Sequence, residues 1–406
     1  MAKMVAVCIL KEWRSQVSKL YYMGLEPYEG RYTLQLQQWS EAAFKKRGID
    51  YEVIHGEILD NSKAIVTGQV LDAHGRTYYS LTQVAKLVAK MKAGEIKEGD
   101  KIFFEDMFTP GMESLFYIID QVPYEYRPEI WVRCLAQTID PDDFLHVHYM
   151  DDWMADYERM INKRVTGVLA SNEEMVAHMK IAGWAVPIYN ISGLAFSKEE
   201  VQSRVPAIKE FKDRKLRVVF AARFDQEKQP GFFMDLVDRY AGLNPGVEFA
   251  VLSGGPLRSN EPMFIERARE LEKTCNFKIY ENLKKNEYYE LMADSRVLFN
   301  CALQDWVSNT ASEADALGTN CLYPAYRSFP ETFSNDKDRL YIPWSLDDVT
   351  SKLNRLLHEQ VKVGSLSDWT SGTIDRCVDI MYDTHMADYW NRNSNKYRQY
   401  VAEAKY

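Results

Sequence analysis

Two cations and two acids, each pair at a short fixed spacing, are the residues of this chain best suited to chemistry. Arg223 and Lys228 lie in the segment FAARFDQEKQP with four residues between them. An arginine fork can share two phosphate oxygens and a lysine adds a compact point charge, so the pair suits a diphosphate. The alternative is a pair of solvated loop charges matched to Asp225 and Glu227. Asp305 and Glu313 have seven residues between them, and Ser308-Asn309-Thr310 stands in that interval as the opening of a helix. The unpaired amides and positive dipole end of such a helix form an anion site. Glu313 is placed to grip a ribose diol with two carboxylate oxygens. Thr310-Ala311-Ser312-Glu313 also fits a capping box, which would give Glu313 a structural task instead.

Elements that alternate between strand and helix must carry these residues. Short apolar runs of the kind found in parallel sheets occur at Met4–Leu10, Tyr51–Ile54, Ile102–Phe104, Ile130–Ala136, Val165–Ala170 and Ala185–Ile191. A second series follows at Leu216–Ala221, Phe249–Leu252, Phe277–Tyr280, Arg296–Phe299 and Cys321–Tyr323. Helical periodicity falls between them, as in Val84, Leu87, Val88 and Met91, with Lys86, Lys90 and Lys92 off the stripe. The segment from Trp13 to Tyr32 reads as a loop rich in aromatics and bases. Polar, weakly periodic Lys198–Lys215 is the natural linker. The prediction is two α/β domains, residues 1–196 and 197–386, with a terminal helix at 387–406 bearing an aromatic stripe. The arginine–lysine pair and the strand end Ser253-Gly254-Gly255 then lie at carboxyl ends of strands, where doubly wound sheets bind ligands.

A length of 406 residues suits two or three domains, and 46% hydrophobic with 27% charged residues describes a globular chain. No apolar run is long enough to span a bilayer, and the opening MAKMVAVCILKEW reads as a strand rather than a signal peptide. The six cysteines sit singly with no CxxC, which predicts buried thiols in a reducing cytoplasm. A net charge of −9 argues against a general nucleic-acid coat and leaves room for a local basic cleft. No G-x-G-x-x-G follows the first strand, and the P-loop and G-x-S-x-G patterns are absent.

The stretch Leu216–Pro330 resembles the C-terminal domain of retaining GT-B glycosyltransferases of the GT4-type group. Arg223 and Lys228 match that family's R-x4-K pair. Asp305 and Glu313 match its E-x7-E motif, with Asp in place of the first Glu, and Ala314 to Thr319 stands for the segment that follows. The resemblance implies a GT-B fold: two doubly wound Rossmann-like domains facing a central cleft, with a C-terminal helix crossing back. It implies Arg223 and Lys228 on the diphosphate, Asp305 on a sugar hydroxyl, Glu313 on the ribose, and Ser253, Gly254, Gly255, Ser308, Asn309 and Thr310 around the nucleotide. The expected reaction is retaining transfer from a nucleoside diphosphate sugar, UDP by preference, to a hydroxyl. No metal is expected in it, and no cofactor beyond the donor.

On the acceptor side Asp140, in LAQTIDPDDF, is expected nearest the reacting hydroxyl, with His146 and His148 as rivals; a turn residue before Pro141 is the other reading of Asp140. The resemblance includes phage enzymes that glycosylate hydroxymethylated bases in DNA, and the Trp13–Tyr32 segment (Trp13 and Arg14 above all) and the three lysines lean toward such an acceptor, hence a host cytoplasm. Polysaccharide or small-molecule acceptors, a nucleotide-sugar epimerase of the same fold and a non-catalytic binding module are the alternatives.

Overall fold

In a computed structural model of the chain, residues 18–28, 31–62, 72–123, 127–303 and 305–382 are described. Their strands form two six-stranded sheets in which every pairing is parallel. The first comprises β1 Leu20–Met23, β2 Tyr51–Val53, β3 Lys101–Phe104, β4 Glu129–Arg133, β5 Gly167–Ala170 and β6 Ile188–Asn190, in the order β2-β1-β3-β4-β5-β6. The second comprises β7 Arg217–Phe220, β8 Glu248–Leu252, β9 Phe277–Tyr280, β10 Val297–Phe299, β11 Asn320–Pro324 and β12 Leu340–Tyr341, in the order β12-β11-β10-β7-β8-β9. Strand order therefore reverses between β1 and β3 in one sheet and between β7 and β10 in the other. Crevices open at the carboxyl ends of strands at such reversals.

The central strands are buried on both faces, which is why they read as continuous apolar runs. β1 corrects the sequence reading. It lies within the segment expected to be an aromatic, basic loop, yet Tyr21 and Tyr22 are core residues at 1% and 0% exposure. Each phenol finds a polar partner, Tyr21 on Glu95 O and Tyr22 on Glu105, so two tyrosines can sit inside a sheet without loss. The expected strand Met4–Leu10, Trp13, Arg14 and the helix expected from 387 onward lie outside the described residues. The lysines of the Ala73–Lys92 helix are partly spoken for: Lys90 pairs with Glu52 and Glu95, and Lys86 reaches His55 O and Glu57.

One hydrophobic cluster is continuous from the first sheet (Leu20, Tyr22, Phe103) through Leu194, Ala195 and Phe196 into the second (Val219, Ala250, Leu298). The expected linker packs against the fold, with a helix at Lys198–Ser203 that buries Val201 and with Phe211 and Arg214 buried further along. The chain returns to the first half in the Thr373–Tyr382 helix. There Arg376 donates to Ile191 O, Arg47 meets Asp379 at 2.5 Å, and Tyr382 OH reaches Ser18 O. Among the described residues no helix is long and apolar enough to cross a membrane.

Candidate active site

The reversal between β7 and β10 gathers the second-half candidates. After β7 the chain makes a tight turn at Gln226–Lys228, and Gln229 enters a left-handed conformation (φ 53°) before Pro230 starts the next helix. Leu303 N donates to Glu227 O at 2.8 Å and Cys301 Sγ lies 3.5 Å from Lys228 O, so the loops after β7 and β10 are tied together. Lys228 Nζ is 3.8 Å from Asp305 Oδ1, and its side chain is only 11% exposed. Burial pushes the Asp305 carboxyl up, opposed by the Lys228 charge. Arg223 is 49% exposed and lies 2.5 Å from Glu227 and 3.4 Å from Asp225. The pairing foreseen as the alternative to phosphate binding is thus formed. An exposed ion pair of this kind is worth only about 0.2–1 kcal/mol, less than a forked contact to phosphate can return.

The Asn309–Ala316 helix is capped by Ser308, but Ser308 Oγ turns to Thr310 Oγ1 (3.0 Å) and Tyr323 OH (2.9 Å) rather than to the helix amides. Asn309 Oδ1 is buried with no partner among the described residues. The capping box does not form, because Glu313 faces the other way. Its carboxylate, 4% exposed, accepts from Lys285 Nζ at 2.7 Å, Tyr289 OH at 2.9 Å and Tyr288 OH at 3.0 Å. Three donors converge on this carboxylate. The Ser253-Gly254-Gly255 turn follows β8 and closes on the next connection through Leu283 N to Ser253 O and Asn282 N to Gly255 O. A side chain on Gly255 would meet nothing, so the turn borders open space.

On the first half the expected acceptor residues are placed differently. Asp140 is fully buried, its carboxylate 2.6 Å from Arg327 Nη2 of the second half. Arg327 also meets Asp142 at 3.2 Å and Glu174 at 2.7 Å, and its guanidinium lies 5.1 Å from the Trp306 ring. Asp140 is therefore a fastener between the halves, and no acceptor hydroxyl can replace Arg327 without opening that contact. His146 and His148 are not on a strand. His146 lies in the short Phe144–Val147 helix, against Thr138 O and Asp151, and His148 caps that helix. The DPDDF segment prefers a turn and helix cap, with Asp143 accepting from Leu145 N.

Several residues at the site were missed. Trp306, one residue past Asp305, inserts into the first half, donating its indole N–H to Asp143 and accepting Asn172 at its carbonyl. Arg327 follows β11, at the carboxyl end of a strand, and that position was a usable signal. At the first sheet's reversal Arg76, 6% exposed, lies 2.8 Å from Glu26 and 3.0 Å from Asp106, just beyond β1 and β3. Burial pushes the Asp106 carboxyl up, with Arg76 opposing. Glu105-Asp106 directly follows the predicted strand Ile102–Phe104, so the strand-end rule points to these acids too.

No family model matches the sequence, and no curated protein matches it. Solved structures match along nearly the whole chain. Sucrose-phosphate synthase from Thermosynechococcus elongatus is similar with a TM-score of 0.61 at 13% identity, over 95% of this chain and 100% of its own. A structure titled trehalose-6-phosphate from E. coli, bound with UDP-2-fluoro glucose, gives 0.57 at 11% identity over 94% and 99%. Anabaena HepE in complex with UDP and glucose gives 0.53 at 12% over 93% and 99%. Two doubly wound parallel sheets, with the Thr373–Tyr382 helix returning to the first half, give this chain the GT-B fold.

Proposed function

We propose that this chain is a retaining glycosyltransferase that moves a sugar from a nucleoside diphosphate sugar, UDP-linked by preference, to an acceptor hydroxyl. One observation carries the reading. The loops flanking the β7/β10 reversal bring Lys228 within 3.8 Å of Asp305, just before the helix that carries Glu313, with Arg223 in the same loop as Lys228 and paired there with Glu227. Arg223 and Lys228 neutralise charge gathering on the departing diphosphate while the helix amides hold its oxygens. Asp305 takes a sugar hydroxyl and Glu313 the ribose. The side chains supply the positive charge, so no metal is called for in this reading. The seven-residue interval between the acids, shared with retaining members of the resembled group, supports retention. Structures that share the fold and hold UDP, UDP-glucose or UDP-2-fluoro glucose support the nucleotide.

The acceptor is read as a small hydroxyl-bearing molecule at the β1/β3 reversal of the first sheet, beside the Arg76–Glu26–Asp106 cluster. Part of what suggested a DNA base has other tasks, since Tyr21 and Tyr22 are core and Lys90 is paired with Glu52 and Glu95, while Trp13 and Arg14 lie outside the described residues. The test is a thermal-shift panel of nucleotide sugars, followed by nucleotide release with small-molecule and hydroxymethylated-DNA acceptors. Arg223→Ala should cut turnover roughly 10²–10³-fold with an unchanged melting temperature, since its half-exposed side chain packs little. Wild-type turnover in that variant would remove the assignment, and release stimulated only by modified DNA would restore the nucleic-acid acceptor.

A further inference from the structure

A cavity of about 340 Å³ adjoins the donor loop and is lined in part by that loop, through Trp306, Val307 and the helix cap Ser308. The Asn309–Ala316 helix is the partition. Glu313 turns to Lys285, Tyr288 and Tyr289, whereas neighbouring Ser312 turns to Thr370 of the Ser365–Ser371 helix at 3.1 Å. The loop before the helix divides likewise, with Asp305 toward Lys228 and Trp306 toward Asp143. The walls come from both halves of the molecule: Ser171 after β5, Ser192 after β6, Ser308 and Ser312, and Trp369 and Thr370. Two of these segments, that after β6 and the Ser365–Ser371 helix, adjoin the places where the chain passes between halves.

The lining selects a chemical class. Its charged members are engaged by residues behind the lining: Glu331 accepts from Glu173 N and Asn190, Asp368 pairs with Lys198, and Arg339 pairs with Asp336. A charged ligand would compete with these contacts, at a cost for buried Arg339, whereas Asp368 is 67% exposed and its pair is weak. Serine and threonine hydroxyls dominate the rest, able both to donate and to accept, beside apolar surface from Trp306, Val307 and Leu366. The volume falls in the range of small-ligand pockets. We propose that this cavity is a second ligand site, distinct from the donor site, that takes a neutral carbohydrate or polyol of about monosaccharide size. It rests on the donor reading only in that UDP marks the neighbouring site.

The test uses the full chain, with glucose, myo-inositol and maltose as neutral probes, glucose 6-phosphate as a charged control, and UDP measured separately by calorimetry. The expected result is saturable binding of at least one neutral probe that excess UDP does not displace. Ser365→Trp fills the cavity from its exposed rim. That variant should weaken the probe about tenfold or more while UDP affinity stays within about twofold. Ser312→Leu, which fills it from inside, serves if Ser365→Trp does not fold. No binding by any neutral probe, displacement by UDP, tighter binding of glucose 6-phosphate than of glucose, or indifference to both variants overturns the proposal. Failure of UDP itself to bind would remove the donor reading and leave the cavity to be judged on the sugars alone.

Discussion

Glu227 occupies the guanidinium face of Arg223 that a diphosphate would take. On the proposed donor reading the two anions compete, and the apparent affinity for UDP would contain the cost of parting an exposed ion pair, about 0.2–1 kcal/mol. Glu227→Gln should therefore tighten UDP binding by up to about fivefold with little change in stability. Calorimetry would show it, and weaker binding in the variant would mean that Glu227 positions Arg223 rather than shielding it. At this scale the second-half residues were legible because each pair sits close in sequence at one strand end. Asp140 was not. Its partner Arg327 is 187 residues away, and nothing local to DPDDF shows that a cation arrives from the other half.

The Asn309–Ala316 helix offers two groups of donors and acceptors at different places, amides at its start and Glu313 further along. Pyrophosphate should feel only the first, and a nucleoside diphosphate both. Glu313→Gln keeps the side-chain shape and one acceptor oxygen for the donors of Lys285, Tyr288 and Tyr289, so the fold should survive. It should weaken UDP about tenfold while pyrophosphate binding is unchanged; an equal loss for both would place Glu313 outside the ribose contact. The start of this helix was readable from Ser308-Asn309-Thr310. The capping box was a false match, since the sequence pattern fits without showing that three donors from 285–289 claim the carboxylate. β1 failed for a related reason. A run holding two tyrosines scores as polar until Glu105 and the Glu95 carbonyl are known to meet the phenols.

Across the whole molecule the halves are joined by a clasp in which one arginine meets three carboxylates, with Trp306 inserted beside it. Asp143, which receives the Trp306 indole, is buried at 1% exposure and pushed up to about 6 from an ordinary 3.8. Its folded value lies above its unfolded one, so ionised Asp143 disfavours folding at pH 7. That penalty shrinks as pH falls through 6 and is gone below the unfolded value. Relative to Asp143→Asn, the wild type should gain about 1 kcal/mol of unfolding free energy between pH 7 and pH 5. A flat difference would show an ordinary carboxyl. Arg327 tests the clasp itself. Its side chain is 12% exposed, and Asp140 opposite is wholly buried. Removing the cation leaves an uncompensated buried charge, so Arg327→Met should cost about 3–5 kcal/mol in denaturant unfolding, against less than about 1 for a surface pair. Adding Asp140→Asn to that variant removes the stranded charge and should recover part of the loss. If Arg327→Met costs under about 1 kcal/mol, or Asp140→Asn deepens its loss, the contact does not hold the halves together and Asp140 is again open to an acceptor.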